Sequence, residues 1–452
     1  MRRAIALWLC VPVFVLGCGT SESPVEIGET PTSEPASQSR FASSEADEDP
    51  ETVVTSEDVM GMDVAKLIQR ATKFEMRGET EKSLVAWEDV VQRISEEYGD
   101  QAWQTTSARL SLAAARQRGA FEVAQRVQAL EIVDLQNQSK IDLATGRLED
   151  ALTGLSRADD LAQEVWGQQS HITLNVQLQL ATCYAMAGSH EDSFDLASQV
   201  LAGRQEVLGS VHPDTLEALE LAAAQATKLE KQEEAIAWGA EAIEVAELLE
   251  GGESLAVAKQ RNNFGVSLVQ FKNYDRGLSQ LETALEIRRT LLGPESAEVA
   301  HTLYNLGQAQ MSQGDWALAA QRFDAVCEIL TGQEAEVASL SEAKIQLGTL
   351  ALIQNDLAGA ETEFRAAQAL LQQSPVLYER LFAAACFKLG FVLGRQGKYT
   401  VAEPELRQAL EIQRRILAVG DPELAQTLEI YTLVEGKLQG IRTGQAPGSI
   451  QR

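Results

Sequence analysis

Four histidines, a few cysteines and many carboxylates are the side chains of this sequence that could bind a metal or break a bond. Their spacing supports neither. His171, His190, His212 and His301 contain no His-Glu-x-x-His pair, and no two stand four apart, the spacing that sets two imidazoles on one helix face. There is no Gly-x-x-x-x-Gly-Lys-Ser/Thr phosphate loop, no Gly-x-Ser-x-Gly elbow and no kinase signature. Acidic pairs such as Glu96-Glu97 fall on charged helix surfaces, where paired carboxylates say little in so acidic a chain. Five cysteines in 452 residues cannot staple a disulfide scaffold. Cys183, Cys327 and Cys386 are expected to be buried small hydrophobes. The expectation is therefore a chain that is not an enzyme and needs no cofactor or metal.

The composition narrows the class further. Lys plus Arg total 38 against 66 Asp plus Glu, a formal net charge of -28, which argues against nucleic acid as a partner. An apolar content of 45% is that of a folded chain. Eleven prolines and no sustained Val/Ile alternation, with abundant Ala, Leu, Glu and Gln, point to helices.

Those helices repeat. Turn residues recur at Gly78, Gly119, Gly146, Gly188, Glu230, Lys272, Gly314, Asn355 and Gly397, with spacings of 41, 27, 42, 42, 42, 42, 41 and 42. Five residues after these anchors stand Ser83, Ala124, Ala151, Ser193, Ala235, Gly277, Ala319, Ala360 and Ala402, all small. Seven before them stand Ala71, Leu112, Ser139, Ala181, Ala223, Gly265, Gly307, Gly348 and Gly390, with Leu112 the exception. Two antiparallel helices approach closely only where side chains shrink, so each unit reads as helix, tight turn, helix. Glycines 21 residues after the anchor, Gly99, Gly167, Gly209, Gly251 and Gly293, suit a left-handed cap ending the second helix. The short 27-residue interval predicts that part of a helix is lost near residues 120–145. A pair of ordinary helical bundles is the competing fold, but bundles do not require a small residue at a fixed register every 42 positions.

Gly307, Ala319 and Phe323, and again Gly348, Ala360 and Phe364, have the small-x11-Ala-x3-Phe spacing of the tetratricopeptide repeat. The longer period resembles the kinesin light chain version of that family, as do Gly397-Lys398-Tyr399-Thr400-Val401-Ala402-Glu403-Pro404, His212-Pro213 and Arg261-Asn262-Asn263-Phe264-Gly265. The resemblance covers residues 59–438. It implies an all-α, right-handed α-solenoid of about nine helix-turn-helix repeats, with residues 422–438 as a C-terminal capping helix. It also implies a structural role for His171 and His212 in the turns between repeats, and a concave groove lined by first-helix positions thirteen, ten, six and two before each anchor. In three repeats these are Lys259, Asn262 and Gln270; His301, Tyr304 and Gln308; and Phe387, Phe391 and Arg395. Such side chains suit an extended or helical peptide. The competing account is that Tyr304, Phe387 and Phe391 pack between neighbouring helices. Amides at nine before the anchor (Gln69, Asn137, Gln179, Asn263, Asn305 and Gln346) have the same two readings: they hold a peptide backbone or they tie helices together. The Lys-then-Asn pattern by which some members clamp a C-terminal carboxylate is missing.

The N-terminus carries an address. Arg2 and Arg3 precede an apolar run from Ala4 to Leu16, which at about 1.5 Å per residue is too short to span a bilayer. It ends in Val15-Leu16-Gly17-Cys18, which resembles the bacterial lipoprotein box and implies acylation of Cys18. Residues 1–17 are then a signal peptide, and 18–58 an acidic linker too poor in apolar residues to fold. The solenoid occupies 59–440, and 441–452 form a tail. Gly19 lacks the aspartate of inner-membrane retention, which favours the outer membrane and a periplasm-facing location in the cell envelope. The function expected is a membrane-anchored scaffold holding an unidentified protein or peptide. The alternative is an accessory lipoprotein of an outer-membrane secretion or transport system.

Overall fold

The structure, a computed structural model, describes residues 64–373, 378–418 and 420–443. The expectations for the signal peptide, Cys18, the acidic linker and the last nine residues lie outside them. The described residues form eighteen α-helices and no strand. They divide between Gln225 and Ala226 into two compact units.

The first unit contains α1 (Val64–Met76), α2 (Thr80–Tyr98), α3 (Trp103–Gly119), α4 (Val123–Ala144), α5 (Leu148–Trp166), α6 (His171–Met186), α7 (His190–Leu208) and most of α8 (Pro213–Lys228). The second contains α9 (Gln232–Glu250), α10 (Leu255–Gln270), α11 (Tyr274–Leu292), α12 (Ala297–Gln313), α13 (Trp316–Leu330), α14 (Val337–Ile353), α15 (Leu357–Leu371), α16 (Glu379–Arg395), α17 (Tyr399–Ile416) and α18 (Pro422–Arg442). Within each unit, most helices consecutive in sequence pack against each other, the arrangement of a tetratricopeptide solenoid, with α3 and α4 the exception.

The anchors are where the chain reverses. Eight of the nine have positive φ, from 58° at Glu230 to 97° at Gly314. The next residue then donates its N–H to the carbonyl five back, as from Asn273 to Leu268 at 2.8 Å and from Asp315 to Gln310 at 2.8 Å. This is the bond that closes a helix C-terminus around a left-handed residue. Three anchors, Glu230, Lys272 and Asn355, are not glycine, because left-handed helical backbone is strained for other residues but open to them. The second-helix caps are stricter. Gly99, Gly167, Gly209, Gly251 and Gly293 have φ of 85–91° but ψ of 158–164°. These caps are therefore not the left-handed ones expected from the sequence: they occupy a region open essentially to glycine alone. No atom stands within 4 Å of where a Cβ on Gly293 would lie, so Gly293→Ala tests backbone strain without a clash. Its expected effect is a loss of about 1–3 kcal/mol in chemical denaturation.

The small positions face one another. Ser83 Oγ donates to Ala71 O at 3.1 Å and Ser193 Oγ to Ala181 O at 2.7 Å, each bond joining a site five after an anchor to one seven before it. A Cβ on Gly265 would lie 2.9 Å from Gly277 O, and one on Gly277 would lie 2.9 Å from Gly265 O. In the next two hairpins the gap is filled by rings. Phe323 lies against Gly307 and Phe364 against Gly348, both rings fully buried.

Residues 123–144 form a complete helix, so no helix is cut short there as the 27-residue interval predicted, and Gly119 is the anchor that departs from the turn pattern. It has no positive φ, and its Cβ would meet Thr80 Cγ2 at 2.5 Å, so packing explains the glycine here. α3 and α4 do not form a hairpin. Instead α4, 22 residues long, takes the first-helix role and pairs forward with α5, through Ser139 Oγ to Ala151 O at 3.4 Å. α3 reaches past it: Gln117 Nε2 donates to Val165 O at 3.2 Å, and the Phe121 ring meets Trp166 at 4.9 Å. One second helix is missing, and Val123, Val127 and Leu130 of α4 stand exposed.

The last described helix is the one expected as a cap. The Asp421 carboxylate accepts from Glu423 N–H at 2.8 Å to start α18, which buries Val434 beside Gly394.

Candidate partner-binding face

All nine groove residues named from the sequence fall in the second unit, on α10, α12 and α16. First helices of successive repeats touch there, α10 with α12 and α14 with α16. The structure divides the nine by exposure. His301 and Arg395 are exposed, and Lys259, Gln270 and Phe391 are half-buried. Asn262, Tyr304, Gln308 and Phe387 are enclosed by neighbouring helices.

The enclosed residues have defined partners. The Tyr304 ring packs on Phe323, centroids 5.5 Å apart, and its hydroxyl receives Gln308 Nε2 at 3.0 Å and Gln346 Nε2 at 3.4 Å. Burial pushes its phenol well above the usual range, and the charge of Glu342 adds to the shift. Asn262 Oδ1 accepts from Asn305 Nδ2 at 3.0 Å. Phe387 and Phe391 are ring neighbours at 6.5 Å. Of the residues nearer solvent, Gln270 Nε2 donates to Thr227 O at 3.0 Å and Arg395 Nη2 to Asn355 Oδ1 at 2.9 Å. His301 Nε2 lies 3.1 Å from Glu336 Oε2.

The amide series takes its structural role in the places where its bonds are seen. Asn305, Gln346 and Gln179, each nine before an anchor, bond to Asn262, Tyr304 and Gln136, each ten before the preceding anchor. A side-chain ladder thus runs from one first helix to the next.

One histidine of the first unit, His212, is likewise structural. His212 is buried, its Nδ1 accepts from Asp214 N–H at 3.0 Å, and Ser107 Oγ of α3 lies 2.8 Å from Nε2. Burial lowers the pKa of both His171 and His212. Cys183, Cys327 and Cys386 are free thiols. Burial raises all three, Cys327 to about 11 and Cys386 to about 12, and so keeps them in the unreactive thiol form. Among the described residues no three His, Cys, Asp or Glu side chains are grouped to hold a metal ion, and no helix is long and apolar enough to cross a membrane.

Sequence reasoning missed two arginines. Arg204 is 2% exposed; its Nη2 donates to Asn175 Oδ1 at 2.7 Å, and its Nη1 to Glu217 Oε2 at 3.2 Å and to the Asp214 carbonyl. It closes one side of a cavity of about 240 Å³ that Gln179 and Thr182 also line. Arg288 makes the equivalent hydrogen-bonded bridge in the second unit, donating to Glu298 O at 3.1 Å and Thr302 Oγ1 at 2.7 Å. Both stand sixteen after an anchor and bond the carbonyl ten residues further on. Each staples a second helix to the first helix that follows. The repeat register was the available signal. It would also have found Glu342, thirteen before Asn355, the position of Lys259 and His301 in their repeats.

An all-α array of helix hairpins packed in sequence order is the architecture of a helical repeat solenoid. Residues 172–248, 256–331 and 383–423 match the tetratricopeptide repeat family, and the chain carries repeats of that type there. Among solved structures, it is similar to nearly identical TPR-like repeats of a kinesin light chain-type protein from Podosopora anserina, at 16% identity and a TM-score of 0.42 over 48% of this chain and 99% of that one. It is also similar to BtubC (BKLC) from P. vanneervenii, at 19% identity and a TM-score of 0.39 over 59% and 91%. A third is a Rap protein complexed with competence and sporulation factor, at 13% identity and a TM-score of 0.44 over 85% and 99%. Comparison with curated protein sequences gave no match.

Proposed function

We propose that the protein is a lipid-anchored scaffold of the bacterial cell envelope that holds a segment of a partner protein against the first-helix face of its second unit. The observation that carries this reading is the shared register of α10, α12 and α16. At equivalent positions each offers side chains on one face, with His301 and Arg395 reaching solvent and Lys259 and Phe391 half-buried beside them. Exposed ends over an enclosed floor suit an extended or helical segment, with affinity set by a few anchoring side chains. Tetratricopeptide repeats bind proteins or peptides, which agrees with this reading.

Position-specific photo-crosslinking tests it. A crosslinker at residue 301 or 395 should trap one partner, whereas one at Leu318, exposed on the second helix α13, should trap none. Equal yields from all three sites would reject the face. The anchor is tested separately. Acyl chains contribute about 0.8 kcal/mol per buried methylene, so Cys18→Ser should move the protein from the membrane to the soluble fraction. Retention of the serine variant in washed membranes would remove the anchor from the proposal.

A further inference from the structure

The short interval between Gly119 and Gly146 leaves α4 with one face uncovered. It holds 27 residues where the others beyond Gly146 hold 41 or 42, so the unit lacks about 15 residues, roughly 22 Å of helix. On its inner side α4 meets α5, where Ile132 packs against Ala158, Leu161 and Ala162. On its outer side Val123 is 79% exposed, Val127 59% and Leu130 67%, with Ile141 exposed three turns further on. Steps of four, three and eleven residues set all four on one line along the helix, and Val133, also exposed, borders it. Single apolar residues on a surface need no account, but a row along one helix marks an interaction face. Two charges belong to that face. Asp134 stands on the same line and has no partner among the described residues, and Arg126 beside it uses only Nε, on Phe121 O at 3.1 Å.

A row this narrow fits one helix, and α4 of a second copy is complementary to it. In an antiparallel pair centred between Val127 and Leu130, Val127 of each copy meets Leu130 of the other. Asp134 of one copy then faces the first turn of the other's α4, where the Arg126 guanidinium and the positive end of the helix dipole lie. A parallel pair would instead set Arg126 against Arg126 and Asp134 against Asp134, which repel. We propose that the chain forms a two-fold symmetric dimer through α4, each copy supplying the helix that the other's short unit lacks. The interface uses none of the residues assigned to the partner face, and each assembly carries that face twice.

The test is sedimentation velocity of the purified full chain over about 1–100 μM, the range in which an interface of one helix pair associates. The net charge of -28 repels like copies, so the salt is held at about 0.15 M, where the Debye length is about 8 Å. The chain should pass from one copy to two as concentration rises. Val127→Glu with Leu130→Glu should weaken association by about tenfold or more and leave helicity unchanged, because both side chains are exposed. Arg126→Asp and Asp134→Arg should each weaken it too, since each sets like charges across the antiparallel pair. Mixed in equal amounts, those two variants should associate with each other, because every facing pair is then opposite in sign. Association on mixing also shows that both variants are folded. A chain that stays single at every concentration would overturn the proposal and leave the row to a helix of another protein. Association that survives Val127→Glu with Leu130→Glu, charge variants that self-associate like the parent, or a mixture no more associated than its components would overturn it as well.

Discussion

Phe364→Ala is expected to remove about 3–5 kcal/mol of stability, the range for truncating a fully buried aromatic ring. The ring is 0% exposed and lies on Gly348, where a Cβ would come within 2.6 Å of it. The fit is reciprocal. Glycine on α14 admits the ring, and the ring fills the space that a small residue leaves between α14 and α15. With the ring gone, Gly348 supplies no side chain to fill the cavity, so relaxation can recover little. Phe323 has the same place over Gly307. Urea unfolding of the single variant is the measurement, and a loss below about 1 kcal/mol would show that the hairpin can collapse around the void. In an array where each hairpin packs on its neighbours, such a loss propagates through the interfaces on either side.

Glu342→Gln is expected to do the opposite at alkaline pH, raising stability by about 3 kcal/mol at pH 8. Burial raises the Glu342 carboxyl from 4.5 to about 7. A carboxyl that binds its proton more tightly when folded gives the folded state the greater proton uptake between those values. Stability therefore falls as pH rises through that window, and above about 7 the full penalty remains, at roughly 1.4 kcal/mol per unit of displacement. Glutamine removes the ionisation and keeps the shape, so the gain should appear at pH 8 and nearly vanish at pH 4. Melting curves at the two pH values decide it. A gain independent of pH would assign the effect to something other than the buried charge.

The exposure of the proposed partner face was legible in part. His301 and Arg395 came from the repeat register and are exposed. Tyr304 and Phe387 came from the same register but are buried, because an aromatic ring ten before an anchor gains more from the neighbouring helices than from solvent. Register states which helix face a residue occupies; it does not state how deep the side chain sinks. Glu342 shows the limit most clearly. Its position was computable from Asn355, but a glutamate in an acidic sequence attracts no notice, and only the surrounding enclosure gives it an unusual proton affinity.

The sequence by itself determined the repeating unit, because local requirements are written in residue type. Eight anchors with positive φ, glycines at the second-helix caps and facing small residues each follow from backbone or contact sterics within one hairpin. It also located the interruption near Gly119 through the broken period. Tertiary structure decided what long-range competition settles: that α4 pairs forward with α5 and leaves α3 to pack beyond it, that Arg204 and Arg288 bridge successive helices, and which polar atoms are left without partners. Those outcomes depend on which surfaces remain uncovered once every hairpin has formed, and no window of sequence contains that information.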